Sequence, residues 1–277
     1  MPLKDEVSLV TGGAVGIGRA TSLAFAKEGA KVVVADVLAE DGEETVNLIK
    51  QNRGTGKFVF CDVTKSGEVE SLIKDIVASY GRLDCAFNNA GIEGDIAPTV
   101  ECTEENFDRV IEVNLKGVWL CMKYEMRQML RQGYGAIVNM SSVAGVVAER
   151  GFPAYAAAKG GVIQLTRTAA VEYGGSGIRI NAVCPGVIMT PMMHRAMAGM
   201  SASAMAPGAM RSPAIKFIAD RMTRSRRVKD VLIKMMQPMG RPGQADEIAQ
   251  AVVWLCSDAA SFVTGHSMLI DGGMTAA

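Results

Sequence analysis

The stretch Val7-Ser8-Leu9-Val10-Thr11-Gly12-Gly13-Ala14-Val15-Gly16-Ile17-Gly18, residues 7–18, decides the fold class. Val7 to Val10 reads as a short buried strand, and an amphipathic helix follows from about Ile17 to Glu28. Strand, glycine turn and helix together form the setting in which backbone N–H groups meet a phosphate. Gly12 permits the tight turn, Gly16 lets the backbone approach a pyrophosphate, and Gly18 lets the helix lie close to the sheet. The spacing is GxxxGxG, not the GxGxxG of the common dinucleotide fingerprint. Three glycines alone are turn chemistry. The flanking strand and helix make Gly12, Gly16, Ile17 and Gly18 candidate cofactor-binding residues.

The same alternation continues outward. Lys31 to Ala35 is a strand ended by Asp36, and Asp41 to Asn52 is helical. Lys57 to Cys61 is a third strand, followed by Asp62-Val63. Ser66 to Tyr80 is a helix with Ser66 as its N-cap and Gly81 as its stop. Leu83 to Phe87 is a fourth strand, ended by Asn88-Asn89-Ala90-Gly91. Strands alternating with helices predict an α/β fold, a parallel sheet covered on both faces. Ligands then bind beyond the strand carboxyl ends, where Gly12, Asp36, Asp62 and Asn88 all fall. Asp36 stands 24 residues after Gly12, near the offset of the acid that binds an adenosine ribose. A carboxylate there accepts from both ribose hydroxyls and repels a 2′-phosphate, and no arginine adjoins it. NAD is therefore expected over NADP. Asp36 also suits the N-cap of the next helix.

Thr103 to Arg131 reads as one long helix, with Thr103 as N-cap and Asn114, followed by Gly117, inviting a bend. Ala136 to Met140 is the fifth strand, with Ser141-Ser142 at its end. The next helix, Ala154 to Tyr173, carries Tyr155 and Lys159. Four residues apart on a helix, they share one face. A phenol has an unperturbed pKa of about 10, and an ammonium one turn away pulls it down. A tyrosine tuned in this way exchanges a proton with an alcohol or carbonyl oxygen. Ile178 to Cys184 is the sixth strand, closed by Pro185-Gly186. Gln244 to Ser257 is a helix, and a last strand lies within Thr264 to Gly273.

Composition narrows the function. The 277 residues carry no net charge, which gives no bias toward nucleic acid or anionic membrane. Six scattered cysteines form no CxxC pair, so neither a zinc site nor a disulfide framework is indicated, and buried thiols in a reducing cytoplasm are expected. The polar start is no signal peptide, and no apolar run approaches the roughly 18 residues of a membrane span. A Ser-His-Asp hydrolase is disfavoured, since only His194 and His266 exist and G-x-S-x-G is absent. No acid, His or Cys cluster has metal-ligand spacing.

TGGAVGIG at 11–18, NNAG at 88–91, the strand-end serine, YAAAK at 155–159 and PG at 185–186 together resemble the short-chain dehydrogenase/reductase family. The resemblance runs from Val7 to Gly273. It implies a single-domain Rossmann fold with seven parallel strands in the order 3-2-1-4-5-6-7, and NAD-dependent hydride transfer between a secondary alcohol or ketone and the nicotinamide. It implies Tyr155 as general acid/base, with Lys159 lowering its pKa and holding the nicotinamide ribose. Ser142, rather than Ser141, orients the substrate oxygen, and Asn114 holds a water that extends a proton path from Lys159. Asn88, Ala90 and Gly91 line the adenine side and brace the sheet, and Asp62 and Val63 complete that set. Pro185, Gly186, Ile188 and Thr190 approach the nicotinamide. Assembly as a homotetramer is implied.

Residues 191–242 correspond to the stretch that covers the substrate. From Met192 to Arg241 it holds ten Lys or Arg against Asp220 and Asp230, with many of the 18 methionines. Methionines suit an adaptable apolar pocket. The basic residues form a solvated face, or Arg221, Arg224, Arg226 and Arg227 attract an anion. Rival readings are a 3-oxoacyl thioester reductase and a non-catalytic NAD-binding sensor or scaffold. The complete set Asn114, Ser142, Tyr155 and Lys159 argues against the sensor. Nucleic-acid binding through Arg224 to Lys229 lacks interleaved aromatics.

Overall fold

In the computed structural model the described residues are 3–193 and 237–276. Strand β1 (Val7–Thr11) leads through the glycine turn into α1 (Gly16–Lys27). Then come β2 (Lys31–Asp36), α2 (Ala39–Gln51), β3 (Thr55–Phe60), α3 (Ser66–Tyr80) and β4 (Cys85–Asn88). Helices α4 (Glu104–Ile111) and α5 (Val118–Gln132) precede β5 (Gly135–Met140), and α6 (Pro153–Tyr173) precedes β6 (Ile178–Pro185). Helix α7 (Ala245–Cys256) and strand β7 (Ser267–Ile270) close the described chain.

The main sheet runs β3-β2-β1-β4-β5-β6-β7, every pair parallel, as expected. The chain leaves β1 toward β3 on one side and resumes at β4 on the other. Thr11 thus pairs with Ala35 of β2 and with Asn88 of β4. The two connections diverge at the β1 exit and open a crevice there.

Alternate side chains of each strand feed two cores. Val7, Leu9, Val33 and Ile137 pack against Leu72 and Ile76 of α3, Met122 of α5 and Val162 of α6. Val10, Val32, Val34 and Val138 pack against Phe25 of α1, Ile49 of α2 and Val252 of α7. Burial on both faces explains why the strands read as unbroken apolar runs.

Three local expectations are corrected. The long helix is interrupted by a wider π-type turn at Glu112–Gly117. That extra residue turns Asn114 into the interior, where it is fully buried. Gly117 fits there because a Cβ would lie 2.8 Å from Val63. Lys65, not Ser66, occupies the N-cap of α3, without a side-chain bond. Asp36 precedes the α2 cap, which is Leu38. Thr103 does cap α4, accepting from the Asn106 N–H at 3.2 Å, and Gly81 ends α3 with φ 80°.

Five of the six cysteines are buried thiols and Cys102 is partly buried. No described helix is long and apolar enough to cross a membrane, and no group of metal-ligating side chains occurs among the described residues. The lid expectation for residues 191–242 falls mainly on 194–236, which hold nine of its ten basic side chains and most of its methionines and lie outside the described residues; the tenth, Arg241, pairs with Glu247 at 2.7 Å.

Candidate active site

A cavity of about 620 Å³ lies at the carboxyl ends of the strands. Its floor is the glycine turn. Gly12 has φ +62°, and a Cβ there would meet the Ala90 Cα at 2.7 Å. Asn89 ties the two loops together, donating from Nδ2 to the Gly12 carbonyl at 2.8 Å. The Thr11 hydroxyl accepts from the Asn89 and Ala90 N–H groups at 3.1 and 3.3 Å. A Cβ on Gly18 would overlap the Gly12 carbonyl oxygen at 2.0 Å, so only glycine lets α1 start this close. Gly18 is buried packing and not lining, whereas Gly12, Gly16 and Ile17 line the cavity. Helix α1 has no side-chain cap and no acid in its first turn. Its N-terminal N–H groups and dipole therefore remain available to an anion.

Asp36 lies at one end, 8% exposed. Its Oδ2 accepts from the Ala14 N–H and its Oδ1 from the Leu38 N–H, both at 3.0 Å. Each oxygen keeps a further lone pair for a hydroxyl donor. The nearby cation, Arg19, is committed elsewhere: it donates to the Ala14 carbonyl at 2.7 Å and to Glu44 at 2.6 Å. Asp62 folds onto the Thr64 N–H and hydroxyl at 2.9 and 2.8 Å, and Asp62 and Val63 line the same end.

Asn88 does not reach the cavity. Its Nδ2 donates to Glu125 at 2.9 Å and to Asn139 at 3.0 Å, and Asn139 donates to Thr166 at 2.9 Å. Of the two expected roles, bracing the sheet is the one this geometry shows. The reason is the strand alternation, which points Asn88 inward while Asn89 turns to the loop. Glu125, fully buried in this network, is pushed up to about 8 by lost hydration.

The opposite end holds the proton-transfer groups. Ser141 is buried and donates to the Lys159 carbonyl at 2.8 Å, so it fixes α6 to β5. Ser142 and Tyr155 both line the cavity, and the Ser142 hydroxyl accepts from the Ala144 N–H at 3.2 Å. The Lys159 Nζ lies 5.5 Å from the centroid of the Tyr155 ring and donates to the Met140 carbonyl at 2.9 Å. The small side chains of Ala154 and Ala158 let α6 pack against Val110 of α4. Asn114 is held at both ends by Ile92: it accepts from the N–H at 2.8 Å and donates to the carbonyl at 2.7 Å. A Cβ on Gly91 would lie 3.1 Å from the Asn114 Oδ1 and 3.6 Å from the Lys159 Nζ, so the two groups flank that glycine.

The electrostatics depart from the expected order. Tyr155 is half-buried at the cavity wall, and lost hydration pushes its phenol up to about 12. The nearby Ser142 hydroxyl opposes this shift, while Glu149 and Glu93 add to it. Burial lowers Lys159 to about 8. Desolvation thus outweighs the attraction that helical spacing alone predicts.

Pro185, Gly186, Ile188 and Thr190 line the wall beside this end, at a two-residue parallel ladder between Ile188–Met189 and Gly243–Gln244. Asn89, within the NNAG stretch expected to line the adenine side, does line the cavity. Sequence reasoning missed Glu93, Glu149, Phe152 and Met274, all lining residues. These sit in loops, where no periodicity marks which way a side chain turns.

A sequence profile described as short chain dehydrogenase matches residues 6–201, and a second, described as enoyl-(acyl carrier protein) reductase, matches 193–275. The chain belongs to the short-chain dehydrogenase family. It is 39% identical to a 2,5-dichloro-2,5-cyclohexadiene-1,4-diol dehydrogenase of Sphingobium indicum, over 99% of this chain and 98% of that protein. It is likewise 39% identical to a levodione reductase of Leifsonia aquatica, over 99% and 95%. A solved levodione reductase structure superposes with TM-score 0.87 at 38% identity, covering 99% of both chains. As a short-chain dehydrogenase this protein is an oxidoreductase, and the family implies a nicotinamide cofactor. The cavity fits one: a glycine turn that a Cβ would fill, an uncapped helix N-terminus and a strand-end acid succeed one another along it.

Proposed function

We propose that this protein is an NAD-dependent dehydrogenase of secondary alcohols that also reduces the matching ketones. The observation that best supports this reading is that Ser142, Tyr155 and Lys159 line one end of a dinucleotide-sized cavity, with the Lys159 Nζ 5.5 Å from the Tyr155 ring centroid. The oxidised nicotinamide, when bound, supplies the hydride acceptor and a positive charge. Ser142 donates to the substrate oxygen, and the Tyr155 phenolate takes the hydroxyl proton as the carbinol C–H bond breaks. Their shared hydrogen bonds stabilise negative charge as it develops on that oxygen. Lys159 holds positive charge beside the phenolate and is placed to hold a ribose hydroxyl. Asn114 braces the loop at Ile92, and its Oδ1 has one lone pair left for a water toward Lys159.

Asp36 supports NAD. It lines the cavity with Val37 and Leu38, and Lys159 is the single cation among the described lining residues. Gly12, Gly16 and Ile17 hold the pyrophosphate. Asp62, Val63, Ala90 and Gly91 hold the adenosine side, and Pro185, Gly186, Ile188 and Thr190 the nicotinamide. Similarity to a 3-oxoacyl-[acyl-carrier-protein] reductase of Thermotoga maritima, 38% identical over 99% of both chains, favours a second reading, reduction of a 3-oxoacyl thioester. Assaying a panel of ring and chain secondary alcohols with NAD and NADP, beside an acyl-carrier substrate with NADPH, separates the two. Turnover confined to the carrier substrate with NADPH would overturn the alcohol reading.

The assembly proposed is a homotetramer in the cytoplasm. Trp119 of α5, Val171 of α6, Trp254 of α7 and Leu269 of β7 are exposed apolar side chains that a second copy would cover. Light scattering at four times the 29.3 kDa chain mass supports this, and a single-chain mass contradicts it.

A further inference from the structure

The cavity wall facing Tyr155 carries a carboxylate that the proton-transfer chemistry does not use. Glu149 lines the cavity and acts electrostatically on the Tyr155 phenol. It makes no hydrogen bond or ion pair to any described residue. The residue is exposed overall, and partial loss of hydration at its carboxyl raises its pKa. The loop that presents it is pinned: the Ala97 N–H donates to the Gly151 carbonyl at 3.0 Å, and Gly151 packs on Ile96. The same cavity is lined by Phe152, Val143, Met192 and Met193 and by a second glutamate, Glu93. Lys159, the one cation among the described lining residues, is 2% exposed and committed to the Met140 carbonyl. A carboxylate in a cavity wall accepts from a neutral hydroxyl donor and repels a second carboxylate.

We propose that Glu149 is a specificity-determining residue that accepts a hydrogen bond from a second hydroxyl of the substrate. The preferred class is then neutral ring diols or polyols, and carboxylated alcohols are excluded. This rests on the alcohol dehydrogenase reading above and deepens it.

The test compares cyclohexanol, the cyclohexanediols and 4-hydroxycyclohexanecarboxylate with NAD, using wild type, Glu149→Gln and Glu149→Ala. Glu149→Ala is expected to lower the diol-to-monool ratio of kcat/KM by about 10- to 100-fold, the loss of one charge-assisted hydrogen bond. Glu149→Gln keeps an acceptor without the charge, so it retains most of the diol preference while raising relative turnover of the carboxylate. An unchanged ratio in both variants would overturn the proposal. Should wild type turn over none of these alcohols, the dehydrogenase reading fails for ring alcohols, and diol binding in the presence of NADH, measured by saturation-transfer NMR, decides the rest. Binding that Glu149→Ala abolishes supports the assignment, and no binding, or binding indifferent to the substitution, sinks it.

Discussion

The Lys159 ammonium stands 5.5 Å from the centre of the Tyr155 ring but gives its hydrogen bond to the Met140 carbonyl, 2.9 Å away. The two residues share a dry site in which each charged form is disfavoured: Tyr155 is pushed up to about 12 and Lys159 down to about 8. Alcohol oxidation needs the phenolate, the form that burial opposes. Its rate at low alcohol should therefore climb with pH from about 6 to 8, above which Lys159 loses the charge that supports the phenolate, while ketone reduction, which needs the phenol, stays level. Initial rates in both directions across that range check this. Parallel profiles in the two directions would contradict it.

Removing the charge while keeping the stem separates Lys159 from its neighbours. Lys159→Met should lower the oxidation rate by roughly 100-fold or more, since both the field on the phenolate and the hold on the cofactor are lost. Circular dichroism and the thermal midpoint control for folding.

The proposed preference for NAD rests on Asp36. Asp36→Asn should weaken NAD by roughly 10-fold or more, the scale of one charged hydrogen bond, and improve NADP relative to it. The ratio of kcat/KM for the two cofactors reads this out, and an unchanged ratio would place the discrimination elsewhere.

Much of this was legible beforehand. The two-sided burial of β1, β2 and β4 appears in the sequence as unbroken apolar runs. The glycine turn, Asp36, Ser142 and the Tyr155–Lys159 pair are short-range patterns whose spacing survives folding. The unread features depend on tertiary placement. Whether Asn88 or Asn89 faces the cavity depends on the register of β4 against β1 and β5. The π-type turn at Glu112–Gly117 arises where Gly117 meets Val63, a contact between distant segments. The direction of the Tyr155 shift follows from how much protein surrounds its hydroxyl, which helical spacing does not encode.

Glu125 predicts a stability signature apart from catalysis. Its pKa rises from the ordinary 4.5 to about 8 in the fold. The neutral acid is the form the core accepts, so its contribution is complete below the unfolded value of 4.5 and is lost as pH climbs toward about 8. The slope approaches about 1.4 kcal/mol per pH unit. Glu125→Gln, which preserves shape and donors without a titration, should gain on wild type from about pH 5 to 8 in denaturant titrations. A constant difference across that range would mean Glu125 is not held neutral.

Gly18→Ala tests the floor of the cavity. With 2.0 Å between the new Cβ and the Gly12 carbonyl oxygen, the turn or the helix must shift. The expected loss is about 2 kcal/mol or more of stability, together with weakened cofactor binding.

The most direct test of the central claim is Tyr155→Phe beside wild type, with NADH formation measured on a secondary alcohol that wild type oxidises, and NADH binding measured by fluorescence. The account predicts loss of turnover by about 1,000-fold or more with cofactor affinity kept within a few-fold. Turnover that survives the substitution would show that another group takes the proton and would contradict the assignment.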